Sequence, residues 1–358
     1  MLFQQRSDLI LGPTTVAFGG TLKIELTREF FLEGLLIHVV ATNPGTAPAL
    51  ITGNEGLASI FSSVRLTVPT GSNTRTVVNT NSSALLQYHR QWNGGVDSFT
   101  TNFFDILGAQ AEAINQVRYG TIPIWFAPPN LDDPVASAFL LPLPRYSANP
   151  VLEITLNSAA NIYTGGTNAP TIQISVEAVR RFVDRKDWVT YDTELTTSEI
   201  TVPAAASNNA YELPAPGAYT SMLMQTFTST GTVRRPWHQF YGSSVAAILN
   251  SPMELRFLGT SIRRQSAYGL IVTQSYSSEI FPTQNYTAGQ FGDHNVWWDY
   301  LSDKMGSSAG DFNSVVDTTP LIGQGARINL IYPAATSGDK VRLTTHRVFG
   351  DISALKRG

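Results

Sequence analysis

Ile172-Gln-Ile-Ser-Val-Glu-Ala-Val-Arg-Arg-Phe-Val-Asp184 and Val341-Arg-Leu-Thr-Thr-His-Arg-Val-Phe-Gly-Asp351 are two endings of one pattern. Each alternates apolar and polar residues with the period of a half-buried strand. Each follows a shorter strand pattern and a loop: Val151-Leu-Glu-Ile-Thr-Leu156 before the first, Ala326-Arg-Ile-Asn-Leu-Ile331 before the second. Arg180, Phe182 and Asp184 align with Arg347, Phe349 and Asp351 at a constant offset of 167. That offset is nearly half of the 358 residues, and the second copy ends close to the last of them. Two similar β domains in tandem explain this more economically than a chance likeness of two hairpins. Their junction is expected in the charged stretch Asp184-Arg-Lys-Asp187, and a length prior of about 150 residues per domain also gives two.

The rest of the chain has the same character. Strand patterns recur at Phe31–Thr42, Ala58–Val68, Thr74–Thr80, Ile122–Phe126, Ile200–Val202, Tyr219–Thr228, Glu254–Phe257, Tyr268–Tyr276 and Ile328–Tyr332. Between them stand turn-forming residues, as in Asn43-Pro-Gly, Pro69-Thr-Gly, Pro128-Pro-Asn, Tyr163-Thr-Gly-Gly and Ser337-Gly-Asp. Many short strands without alternating helices predict an all-β antiparallel sandwich rather than βαβ units. Helical spacing is confined to Ser82–Trp92, Phe104–Val117 and, more weakly, Val233–Leu249, all expected in long connections.

Composition narrows the function classes. Charged residues are 14% of the chain, against about 25% in an average soluble protein. Apolar residues are 42%, which supplies a core and excludes bulk disorder. The net charge is −3, without a basic face to neutralise phosphates, so direct nucleic-acid binding is not expected. The 24 basic residues are 19 Arg and 5 Lys. Arg is enriched at protein interfaces and Lys depleted, so much of the surface is expected to face other protein. No cysteine is present, which removes disulfides and thiolate chemistry. Met1–Asp8 lacks signal-peptide character, and the run Leu35–Ala41 is far short of a bilayer span.

Catalytic and ligand motifs are absent from the sequence. The five histidines, His38, His89, His238, His294 and His346, are spread without metal-ligand spacing. The pair Asp293-His294 and the pair Asp132-Asp133 read as turn residues. No Gly-x-Ser-x-Gly elbow or phosphate-binding loop with Lys occurs. Trp297-Trp298-Asp-Tyr300 and Arg235-Pro-Trp-His238 offer rings that could stack sugars or bases, but core and interface packing is the favoured reading of them. The sequons at Asn81 and Asn285 matter only in a eukaryotic secretory setting. No enzyme activity, cofactor or metal is expected.

Segment order then carries a resemblance. Phe30-Phe-Leu-Glu-Gly-Leu-Leu-Ile-His-Val-Val-Ala-Thr-Asn43 is followed by Gly56–Val68, a polar hairpin and Thr80–His89. Next come Thr121-Ile-Pro-Ile-Trp-Phe-Ala-Pro128, Leu143-Pro-Arg and Val151–Asn157. Tyr211-Glu-Leu-Pro214 with Tyr219 opens a second half that closes with Ala326–Tyr332 and Val341–Phe349. This order resembles the double jelly-roll major capsid proteins of tailless, icosahedral, membrane-containing viruses, most closely the tectivirus-like bacteriophage group.

The resemblance implies two tandem eight-stranded jelly rolls, 21–185 and 186–358, after an N-terminal arm over 1–20. It implies a homotrimer with a pseudo-hexagonal outline that tiles an icosahedral shell over an internal lipid membrane. It further implies penton or minor capsid proteins as neighbours, and a virion location after synthesis in the host cytoplasm. Long connections at Asn93–Arg118, Thr230–Pro252 and Thr283–Pro320 would supply intersubunit contacts. Arg118, Arg234, Arg235, Arg263 and Arg264 are the candidates there, through bidentate pairing with carboxylates. The alternative is a virion spike or receptor-binding jelly roll that recognises carbohydrate. A jelly-roll hydrolase or isomerase and a capsid protein of another lineage are the remaining readings.

Overall fold

A computed structural model describes residues 4–44, 50–51, 56–92, 113–127, 139–164, 169–182, 190–202, 206–213, 217–231, 233, 235, 252–257, 260–266, 295–299, 316–317, 328–334 and 336–350. The chain divides into two units, Met1–Arg90 with Val96–Thr197, and Gln91–Gly95 with Ser198–Gly358.

Unit 1 contains β1 (Gln4–Val16), β2 (Thr21–Glu25), β3 (Phe31–Thr42), the short β4 (Leu50–Ile51), β5 (Phe61–Thr70), β6 (Asn73–Thr80), β7 (Val117–Trp125), β8 (Val151–Leu156), the short β9 (Tyr163–Thr164) and β10 (Thr171–Phe182). One sheet runs β1-β10-β3-β7 and the facing set runs β2-β8-β5-β6. β11 (Asp192–Thr201) crosses the boundary at Thr197, and unit 2 continues with β12 (Ala206–Leu213), β13 (Ala218–Phe227), β14 (Pro252–Phe257), β15 (Thr260–Ser266), β16 (Asn295–Asp299), the short β17 (Val316–Asp317), β18 (Ile328–Ala334) and β19 (Lys340–Phe349). Its strands run β11-β19-β13-β16 and β12-β18-β14-β15.

Leaving out the two-residue strands and counting β11 with the second roll, the described residues form two sets of eight strands in the same permutation. The first, eighth, third and sixth share one sheet, and the second, seventh, fourth and fifth share the other. This is the jelly roll, a double-sheet arrangement of antiparallel strands. β10 and β19 are the eighth strand of their respective rolls, so the repeat marks Arg180 and Phe182 stand on the topological counterpart of the strand that carries Arg347 and Phe349. Asp184 and Asp351 lie outside the described residues.

Local pattern explains the pairing. In β8, Leu152, Ile154 and Leu156 point inward at every second position; in β10, Ile172, Ile174, Val176 and Ala178 do the same. Ile37 and Val39 of β3, Val64 and Leu66 of β5 and Ile122 and Ile124 of β7 complete this core at zero exposure. Each such side chain contributes about 1.5–3 kcal/mol when fully buried. Strand β13 differs: all ten of its residues are buried, so both of its faces are covered.

Two features depart from the sequence expectation. Residues 4–16, expected within an arm, form β1, which pairs antiparallel with β10 from Gln4 opposite Phe182 to Val16 opposite Ile172. The division between units falls after Thr197, inside β11, because Leu195 and Thr196 pair in parallel with Val78 and Asn79 of β6. The expected junction, 184–187, lies outside the described residues between β10 and β11.

Of the expected helices, Ser82–Trp92 forms α1 in the β6–β7 connection. Asn81 caps it: the Ala84 N–H donates to Asn81 Oδ1 at 2.9 Å. The Phe61 N–H donates to Ser82 Oγ at 2.9 Å, which ties the helix start to β5. In the second expected helix, 113–116 are turn residues and Val117 opens β7, while 104–112 lie outside the described residues, as do nearly all of 233–249 and the expected strand 268–276. The expected loop Thr283–Pro320 contains β16 and β17.

The β3–β7 pair contains a close approach. Gly34 lies opposite Trp125, and a Cβ at Gly34 would stand 2.4 Å from Trp125 Cε3. Gly34→Val is therefore expected to destabilise the chain by about 1–3 kcal/mol through overpacking, read from the midpoint of denaturant unfolding.

Candidate assembly surface

The sheet β1-β10-β3-β7 turns one face to the core and leaves the other open. Antiparallel register decides which residues share the open face, because directly opposed residues point the same way. Val40 is opposite Gln173 and Tyr119; His38 is opposite Ser175 and Thr121; Leu36 is opposite Glu177 and Pro123; Leu9 is opposite Glu177. Along β3, the residues Leu36, His38, Val40 and Thr42 of this face are part-exposed while Ile37, Val39 and Ala41 are buried.

Large apolar side chains are exposed on this face: Leu9 at 61%, Tyr119 at 50% and Val117 at 47%. Ile114, just before β7, is also exposed, and so is Phe182 at the end of β10, where its ring meets Phe30 edge-on at 6.1 Å. Two of these strands, β1 and β7, are the edges of the sheet. An apolar concentration of this kind marks an interaction surface. The corresponding strand of the second roll, β13, has no open face.

The face carries almost no charge. A polar row crosses all four strands at its centre. Ser7 Oγ on β1 donates to Glu177 Oε2 on β10 at 3.0 Å. Glu177 Oε1 stands 3.5 Å from His38 Nε2 on β3, an ion-pair distance longer than a good hydrogen bond. His38 Nδ1 and Thr121 Oγ1 on β7 share a hydrogen bond of 2.9 Å.

Beside this face two ion-pair clusters, each built on one buried charged side chain, organise the end of the sheet. Between Val179 and Arg180 the register with β3 shifts from Gly34 to Leu32, so Glu33 is the extra residue of a bulge. Bulges re-aim side chains, and here the Glu33 carboxylate, 1% exposed, meets Arg181 through Nε at 2.7 Å and a second guanidinium nitrogen at 3.3 Å. Gln5 Nε2 donates to the same carboxylate at 3.1 Å. Arg180, also buried, donates to Thr27 Oγ1 at 3.0 Å and lies 3.7 Å from Asp8 and 3.9 Å from Glu29. Both clusters tie β1 to its neighbours. The partner mark Arg347 instead lies over the rings of Tyr219 and Phe349.

The arginines nominated from sequence fall in different places. Arg118 is on β7 opposite Ala41, with its direction set toward the core side of the edge strand rather than the open face. Arg235 is engaged inside unit 2: its guanidinium donates to buried Asp339 at 2.8 Å, and its backbone bonds Thr226. Arg264 is exposed on β15, opposite Glu254. The Glu254 carboxyl is held below the usual carboxylate range, chiefly by its hydrogen bond from Arg256, with the charges of Arg256 and Arg264 adding to it. Arg263 is on the same strand, its side chain outside the described residues, and Arg234 lies wholly outside them. Asp132, Asp133, His238 and His294 also lie outside them.

Of the described histidines, His89 on α1 is buried and its Nε2 accepts from the Trp125 N–H at 3.3 Å. His346 on β19 is buried and shares a 2.8 Å hydrogen bond with Thr220 Oγ1. Among the described residues no group of three or more His, Cys, Asp or Glu is arranged to hold a metal ion. No described helix is long and apolar enough to cross a membrane.

No family model matches the chain, and no curated protein does. Solved structures do. The major capsid protein of Sulfolobus turreted icosahedral virus superposes with a TM-score of 0.70 at 12% identity, over 96% of each chain. The major capsid protein P2 of bacteriophage PM2 gives a TM-score of 0.58 at 11% identity, over 97% of this chain and 99% of that one. A PBCV-1 virus capsid model gives 0.57 at 12% identity, over 98% and 95%. The fold is the double jelly roll of these viral proteins.

Proposed function

We propose that this chain is a structural major capsid protein that associates with copies of itself to build a virion shell. The observation that carries this reading is the end-to-end likeness to a viral major capsid protein, covering 96% of both chains. Two like rolls in one chain suit a particular assembly: three copies present six similar units, a pseudo-hexagonal block able to tile an icosahedral lattice. An internal membrane beneath the shell and penton or minor proteins at its vertices belong to the same proposal. So does a virion location after synthesis in the host cytoplasm, with a role that is mechanical rather than catalytic.

The open face of unit 1 is the surface proposed to meet a second copy. Its chemistry suits that occupant. The chain carries a net charge of −3, and identical charged surfaces repel, whereas this face brings together Leu9, Val117 and Tyr119 around one His–Glu pair. Obligate interfaces bury about 2,000–5,000 Å², and apolar burial at about 25 cal/mol per Å² holds them without covalent links. The Leu9→Asp/Tyr119→Asp double variant is expected to weaken self-association on the order of a hundredfold, read by sedimentation equilibrium. An unchanged association constant would remove this face from the interface. Gel densitometry of purified particles separates the capsid reading from the carbohydrate-binding spike: the capsid protein is the dominant band, the spike a minor one.

A further inference from the structure

We propose that covering the open face of unit 1 is linked to uptake of a proton by His38, so that self-association strengthens as pH falls through the histidine range. The inference rests on the reading of that face as a contact between copies, and it names how the contact is regulated.

The argument begins with what surrounds the imidazole. From β10 it faces Glu177 at 3.5 Å and Ser175; from β7, Thr121 at 2.9 Å and Tyr119; along β3, Leu36 and Val40 flank it. Ser7 of β1 reaches Glu177 from the far side at 3.0 Å. The charged neighbours on β1, Arg6 and Asp8, pair with each other. Among the described residues of this face, His38 is thus the side chain placed to neutralise Glu177.

In the free chain water reaches the Glu177 side chain, which is 37% exposed, while the His38 side chain is 32% exposed with its Nε2 already shielded from solvent. A part-exposed pair of this kind contributes little, whatever the charge of the imidazole. A second copy seated on Leu9 and Tyr119 removes that water. An unneutralised carboxylate is then costly to bury. Ser7 supplies one hydrogen bond to Glu177 but no charge. A proton on His38 supplies it, at Nε2 toward Glu177, while Nδ1–H donates to Thr121. The covered state therefore binds a proton more tightly than the free state, and association gains up to about tenfold per pH unit for each linked proton. The gain is present at the acid end of the window and is lost as pH rises.

Sedimentation equilibrium of the full chain between about pH 6 and about pH 8 tests this with three variants. For the wild type the association constant is expected to rise by about tenfold or more on going to the acid end. His38→Gln, which keeps a partner for Thr121 but carries no charge, is expected to stay at the weak level throughout. Glu177→Gln, which removes the charge to be neutralised, is expected to associate strongly and equally at both ends. A wild-type constant that does not change with pH, while Leu9→Asp/Tyr119→Asp still weakens association, overturns the proton linkage and leaves the interface standing. If that double variant changes nothing at either pH, the reading of the face fails, and the linkage fails with it.

Discussion

Glu33→Ala is expected to cost unit 1 about 3–5 kcal/mol, because it strands Arg181 beside a buried bulge with no carboxylate to meet. The wild-type arrangement satisfies the pair fully: two guanidinium nitrogens at 2.7 and 3.3 Å and the Gln5 amide at 3.1 Å converge on one carboxylate that is 1% exposed. The loss also frees β1, since Gln5 is one of the residues anchoring that strand. Replacing both partners, as Glu33→Leu/Arg181→Met, is expected to restore most of the stability, because no uncompensated charge is left inside. Denaturant unfolding of the three proteins measures this. A loss below about 1 kcal/mol for Glu33→Ala would show that the pair behaves as a surface ion pair.

Acid is expected to destabilise unit 2 through His346. Burial pushes this imidazole down to about 4 from its ordinary 6.5, because the charged form has no water around it. The sign follows from linkage. The unfolded chain binds the proton near pH 6.5 while the folded chain refuses it until about pH 4. Stability is therefore intact above the upper value and falls as pH drops toward the lower one. Over that interval the loss amounts to about 3 kcal/mol. His346→Gln, which can still bond Thr220, is expected to remove this part of the pH dependence, seen as the difference between two unfolding series from pH 7 to about pH 4. Parallel curves for wild type and variant would contradict it. The two histidines act in opposite senses: acid favours the contact at His38 and disfavours the fold at His346.

The legible parts of the fold were those where burial imposes a period. Phe31–Thr42 and Val151–Leu156 stand out in the sequence and are the bounds of β3 and β8, because every second side chain is in the core. β1 was hidden because none of its residues from Gln5 to Val16 is fully buried: an edge strand interrupted by Gly12-Pro13, where the register with β10 shifts, shows no period to read. Proline is tolerated there because an edge strand has unpaired backbone. β11 was missed over most of its length, since Asp192-Thr-Glu-Leu-Thr-Thr-Ser-Glu-Ile-Thr201 packs Thr193 and Leu195 inward without a strongly apolar signature.

The candidate surface was less legible than the fold. Sequence pointed to arginines in long connections, a choice by residue type. Arg235 instead found Asp339, 104 residues further on, a pairing that depends on tertiary structure alone. The open face is assembled from Leu9, Val40, Tyr119 and Glu177, one from each of four strands widely separated in the chain. Only the register of those strands brings them together. Of this group, the sequence showed Val40 within an apolar run, with His38 as an isolated histidine.

Electron microscopy of the purified chain tests the central claim most directly. The account predicts threefold particles with a hexagonal outline, each made of three copies and six similar units. Monomers or twofold dimers at concentrations that saturate self-association would contradict it.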